Sequence, residues 1–187
     1  MTTLAVLWLP ILLAAVFVFV ASSVIHMVVP IHKGDYRKLP DETAALGALR
    51  SAQVPPGQYM FPCPGSMKDM GSPEMLDKYR QGPVGTLIVR PNGVPQIGPA
   101  LGQWFLFCVV VSLFVAYIGG LGIAPGRDGA HVFRVTGAIA LLGYAFSSVT
   151  DSIWKGVSWS TTIKFVFDGA VYALVTGATF AWLWPAA

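Results

Sequence analysis

IHKGDYRKLPDETAALGALRSAQVPPGQYMFPCPGSMKDMGSPEMLDKYRQGPVGTLIVRPNGVPQIG, from Ile31 to Gly98, is the only long polar stretch in the chain. It carries eight of the twelve Lys/Arg and six of the nine Asp/Glu. Around it the chain is oily. Of 187 residues 55% are hydrophobic and 11% charged, against about 25% charged in an ordinary soluble domain. The apolar residues lie in long runs, which a water-soluble core does not require. Leu4–Val29 alone is 26 residues, and a helix needs about 20 to cross the hydrocarbon core of a bilayer. The pattern predicts an all-α membrane protein with transmembrane helices over residues 4–29, 99–118, 131–150 and 163–184. A small α/β insert, residues 31–98, separates the first span from the other three.

Within the insert, Pro40-Asp41-Glu42 opens a helix through Gln53, stopped by Val54-Pro55-Pro56-Gly57. Ser72-Pro73-Glu74 combines an N-cap, a proline at the first helical position and an early acid, with Gly82 placed to end the helix. That predicts a helix over Pro73–Gln81. Thr86–Arg90 reads as a strand ended by Pro91-Asn92-Gly93, and pairing of Tyr59–Phe61 with Leu87–Val89 gives a two-stranded sheet.

Outside the insert, Leu4–Val29 lacks a basic leader and its apolar core is too long for a signal peptide, so it reads as a span. Gly98-Pro99 starts the second span, expected to end near Ile118. Gly119–Ala130 reads as a glycine-rich turn. Basic residues near span ends set orientation. Lys33, Arg37, Lys38, Arg90, Lys155 and Lys164 fall on one side, against Arg127 and Arg134 on the other. The insert is expected in the cytoplasm, with both termini outside. Tryptophan favours the two interfaces, and the six agree: Trp8, Trp182 and Trp184 at the outer level, Trp104, Trp154 and Trp159 at the inner one.

Ionisable groups inside spans are costly and are candidates for function by default. The fourth span aligns Lys164, Asp168, Tyr172 and Thr176 at intervals of four. The third aligns Tyr144, Ser147, Ser148 and Asp151, and the first offers Ser22 and His26. On the expected topology these faces converge near the inner end. The candidate cluster is therefore His26, Tyr144, Ser148, Asp151, Lys164, Asp168 and Tyr172. It reads first as a polar seam that locks helices together, second as an ion or proton path, and third as a site for a ligand or metal. His26 and His32 stand six apart across Pro30 with no fixed third ligand, a weak metal signal even with Cys63 considered, and no metal or cofactor is expected. Cys63 and Cys108 read as free thiols. Gly169, Ala173, Gly177 and Ala181 form a small-xxx-small stripe, which lets helix backbones approach closely. Its expected neighbour is another span of this chain, with a homodimer or partner subunit as the alternative.

No CxxC pair, His-Glu-x-x-His, Walker A or serine-elbow pattern occurs. The modest charge of +3 carries no nucleic-acid signal. Pro56-Gly57-Gln58-Tyr59, Lys68-Asp69-Met70-Gly71-Ser72-Pro73-Glu74-Met75, Gly82-Pro83-Val84-Gly85, Gly98-Pro99-Ala100-Leu101-Gly102-Gln103-Trp104-Phe105 and Trp154-Lys155-Gly156-Val157-Ser158-Trp159 resemble phrases of a group of uncharacterised small bacterial four-span integral membrane proteins. The resemblance implies a bacterial inner (plasma) membrane setting, and no activity. The expectation is a non-enzymatic accessory or assembly subunit, in contact with the lipid bilayer and either self-associated or bound to a membrane-protein partner. A small oligomeric permease using the inner polar cluster is the alternative.

Overall fold

The computed structural model describes residues 2–187, which divide into two compact units, residues 2–35 with 96–187, and residues 36–95. In the first unit four helices are long and apolar enough to cross a membrane. These are α1 (Trp8–Met27), α4 (Ile97–Gly122), α5 (Gly129–Tyr144) continued after a break by α6 (Ser147–Lys155), and α7 (Trp159–Leu183). Between 28% and 44% of the most apolar window of each is buried. Most of the apolar surface faces outward, which water would penalise and lipid would not. The helices pack in a ring: α1 against α4 and α7, and α5 against α4 and α7. Leu7, Ala14, Ala15, Val18, Val115, Ala116, Val132, Ala140 and Phe180 are completely buried at its centre.

Backbone contact between α5 and α7, which run antiparallel, dominates this unit. The stripe faces α5, as the first of the two sequence readings has it. A β-carbon added at Gly169 would meet the Cα of Ala145 at 2.6 Å, and one at Gly177 would meet the Cα of Gly137 at 3.1 Å. Ala181 and Ala173 present their carbonyls to Gly129 and Gly137 in turn.

The helix boundaries differ from the sequence expectation: the first helix runs from Trp8 to Met27 rather than over 4–29, and three further differences follow. The second span continues past Ile118 to Gly122, because Gly119 and Gly120 serve as contact points inside the helix rather than as a turn. Gly119 lies against Thr136 and Trp184, and the carbonyl of Gly120 accepts from the amide of Thr2 at 3.1 Å. The third span is not one helix over 131–150. It breaks at Ala145-Phe146, opposite Gly169. Ser148 Oγ and Thr150 Oγ1 then donate to carbonyls three residues back, a competition that disfavours regular helix. The fourth helix starts four residues before Ile163, at Trp159.

In the second unit, α2 (Glu42–Ser51) is capped by Asp41, whose Oδ1 accepts from the Ala44 amide at 2.9 Å. It stops two residues short of Gln53, which takes φ 50° and turns the chain. Helix α3 (Pro73–Gln81) has the expected Ser72 cap on Met75 and Gly82 at its end, with φ 60°. Strands β1 (Gly57–Phe61) and β2 (Gly85–Val89) pair antiparallel, Tyr59 opposite Leu87.

Gly169→Ala forces α5 and α7 apart and should destabilise by about 1–3 kcal/mol, the usual range for overpacking. Gly102→Ala meets nothing within 4 Å and should be neutral or stabilising by up to about 1 kcal/mol. Thermal unfolding in mild detergent checks both, and equal melting temperatures for the two variants would contradict the contact.

Candidate functional site

The last two turns of α1 carry Ser22 and His26, and the helix closes with the amides of Val28 and Val29 both on the Val24 carbonyl. Pro30 then starts a single tight turn, Pro30–His32, and Lys33 donates back to the Pro30 carbonyl at 3.3 Å. Proline suits that place because it has no amide to leave unpaired. The turn folds His32 back over His26. Their rings stack with centroids 4.5 Å apart and planes within 7°, and Phe165 packs beside both.

From α7, whose period places Lys164, Asp168 and Tyr172 on one face, two charges enter this corner. Lys164 Nζ donates to Asp35 Oδ1 at 2.6 Å. Asp35 Oδ2 lies 2.6 Å from His32 Nδ1. The other nitrogen of His32, Nε2, is 2.9 Å from Asp168 Oδ2, and His26 Nε2 is 3.8 Å from the same oxygen. The side chain of Asp168 is 2% exposed. Neither of its oxygens, nor His32 Nε2, has a hydrogen-bond partner, so the 2.9 Å approach is close without hydrogen-bond alignment. His26 Nδ1 faces the Ser22 carbonyl at 3.0 Å. Ser22 Oγ accepts from Trp104 Nε1 at 2.8 Å, which ties α4 to the same corner. A cleft of about 420 Å³ opens between α1, α4 and α7, lined by Ser22, His26, Trp104, Phe165 and Tyr172 among others.

Asp35, at the end of the turn, feels opposing effects. Burial raises its carboxyl, but hydrogen bonds from Lys164 and His32, and their charges, outweigh it. The net is a carboxyl held below the usual aspartate value of 3.8.

The structure brings together four of the seven expected residues, His26, Lys164, Asp168 and Tyr172, and redistributes the rest. Lys164 pairs with Asp35, not with Asp168. Tyr144 stacks edge-on against Tyr172 with centroids 5.6 Å apart and donates to the Cys108 carbonyl at 3.4 Å. It belongs to an aromatic layer above the charges. Ser148 donates to Ala145, and Asp151 pairs with Lys155 at the surface. The break after Tyr144 rotates both away from the face they would share on a continuous helix. Sequence reasoning missed Asp35 and set His32 aside, although His32 and Asp35, three apart just beyond a span, were the available signal. Cys108 is buried, Cys63 exposed, and both thiols are free.

Beyond Tyr172 the polar cluster ends. The interior there is filled by Val18, Val111, Val115, Ala140 and Phe180. The hydroxyls of Thr136, Thr176 and Thr179 return to carbonyls four residues back in their own helices.

Lys164→Met leaves the Asp35 carboxylate, 5% exposed, without its ammonium. Breaking a buried pair from one side costs about 3–5 kcal/mol, and the partial exposure of Lys164 places this case at the lower end. Asp35→Asn with Lys164→Met should recover much of the loss, since the amide oxygen still accepts from His32. The carboxyl is lowered in the folded protein, so its contribution is present above the ordinary aspartate value and lost as pH falls through the folded one. Wild-type melting temperature should therefore drop more steeply below pH 3.8 than that of the double variant, and parallel pH profiles would contradict the pairing.

No family model, curated protein or solved structure matches this chain.

Proposed function

We propose that the chain is a non-enzymatic accessory or assembly subunit of a membrane complex, its insert serving as the surface that meets a partner protein. One observation carries this reading. Met75 is the only buried residue between Tyr36 and Pro95. Sixty-residue domains that fold alone are already marginal, and a two-stranded sheet has little stability by itself. The insert nevertheless has capped helices and a defined strand register. Met60 on β1 and Ile88 on β2 share one face of the sheet and are 54% and 69% exposed. Leu46, Met67 and Val94 are exposed as well. A partner surface supplies the core that this unit lacks. The apolar interior beyond Tyr172 favours the same reading over a permease, because a permeating ion needs polar groups along its whole way.

The setting we propose is a bacterial inner membrane, with the insert cytoplasmic and both ends of the chain outside. It rests on the basic residues near the α1, α6 and α7 ends beside the insert. A Gln81→Cys variant with Cys63→Ser should resist an impermeant thiol reagent in intact cells and react after lysis. Labelling before lysis would reverse the orientation.

A photoreactive residue at position 88 tests the partner surface. In native membranes it should give one discrete protein adduct, reduced several-fold by Met60→Asp on the same face. Adducts with lipid alone, or none, would overturn the accessory reading.

A further inference from the structure

We propose that His26, His32 and Asp168 form a binding site for a transition-metal dication of the zinc type. Each residue offers one ligand atom, and the three atoms lie within 4.8 Å of one another. Around a tetrahedral zinc with bonds of about 2.0–2.1 Å, ligand atoms sit about 3.3 Å apart. The 2.9 Å and 3.8 Å separations of Asp168 Oδ2 from the two imidazole Nε2 atoms bracket that spacing.

The second argument is the state of the ring nitrogens. His32 Nδ1 faces the Asp35 carboxylate and His26 Nδ1 faces a backbone carbonyl. Both partners only accept, so each Nδ1 carries the hydrogen. In a neutral imidazole that leaves Nε2 with a lone pair. Two Nε2 acceptors and a carboxylate oxygen are then gathered within 4.8 Å of one another, acceptor beside acceptor, which a cation among them resolves. Histidines that bind metal characteristically donate their second nitrogen to a carboxylate or carbonyl in this way. The orphaned atoms match: His32 Nε2 and both oxygens of Asp168 are buried without hydrogen-bond partners.

Charge balance points the same way. Two buried carboxylates, Asp35 and Asp168, face a single ammonium, Lys164. One negative charge is left over, and an uncompensated buried charge is expensive. Imidazole with carboxylate suits zinc, cobalt or nickel better than magnesium or calcium, which prefer all-oxygen sites, and the absence of thiolate disfavours copper(I). Three protein ligands leave a fourth position. His26 also lines the cleft between α1, α4 and α7, which gives a water or a small oxygen donor access to that side.

The rival arrangement is a second proton on His32, bridging Asp35 to Asp168 with no metal. Metal titration of the full chain separates them. The protein, in a Cys63→Ser background and purified through a tag free of histidine, is stripped with chelator and titrated with Zn²⁺ against a fluorescent competitor. One equivalent per chain is expected. Asp35→Asn touches no ligand atom and should weaken binding about 10–100-fold. His32→Ala should abolish it, and His131→Ala, on a different helix, should leave it unchanged. Because His32→Ala also removes packing, melting temperature is measured alongside: chelator should lower it and Zn²⁺ restore it in wild type, with no response in His32→Ala. Failure of wild type to bind an equivalent of Zn²⁺, or equal binding by wild type and His32→Ala, would overturn the site and assign the corner to a bridging proton.

Discussion

The contact of Gly169 with Ala145 governs the bundle. No β-carbon fits between them, so α7 has one rotation and one height relative to α5. Asp168 is the next residue back, about 100° around the helix, and that rotation aims it at α1 rather than at lipid. The same contact coincides with the break that ends α5. Without close approach, Asp168 would sit farther from the two histidines, and a displacement of one or two ångströms is enough to dissolve a site whose distances are 2.9 and 3.8 Å. Small residues here set the position of the charged ones.

Such an arrangement explains how a charge is tolerated at 1% exposure in a helix apolar enough to cross a membrane. Asp168 is nearly three turns into α7 from Ser158, on the side of the end where Lys164 and Asp35 meet. The aromatic layer of Trp104, Tyr144 and Tyr172 lies above it, with centroids 5.6 to 6.3 Å apart. The charges thus occupy a corner closed on one side by aromatic rings and bordered on the other by the turn of Pro30–His32. The charged groups are confined to that corner, and the threonine hydroxyls deeper in the bundle serve their own helix backbones.

Local signals were legible in the sequence where one segment suffices to determine the outcome. Ser72-Pro73 and Gly82 delimit α3 because capping is a matter of neighbouring residues. The pairing of the run Tyr59–Phe61 with the run Leu87–Val89 follows from two short β-prone stretches, while its register, Tyr59 opposite Leu87, belongs to the structure. The stripe Gly169/Ala173/Gly177/Ala181 announces close packing, since its period is that of the helix. What stayed illegible depends on partners distant in the chain. Gly119 and Gly120 look like a turn until Thr2, Thr136 and Trp184 are placed against them. Tyr144, Ser148 and Asp151 share a face only while the helix is continuous, and the break depends on Gly169. His26 and His32 lacked a third ligand because it comes from Asp168, more than a hundred residues later.

The corner also links the two halves of the chain's chemistry. Asp35 is the last residue of the bundle unit before the insert begins at Tyr36. It is held from two directions, by Lys164 of α7 and by His32, which itself reaches Asp168. The chain therefore leaves the bundle from a fixed point, not from a fraying helix end. Whatever occupies the space between His26, His32 and Asp168 bears on the His32 ring, and through its Nδ1 on Asp35. A dication there and a bridging proton differ in charge by one unit and in the distance they impose between ring and carboxylate. The occupant thus bears on how firmly Asp35, the last residue of the bundle unit, is held.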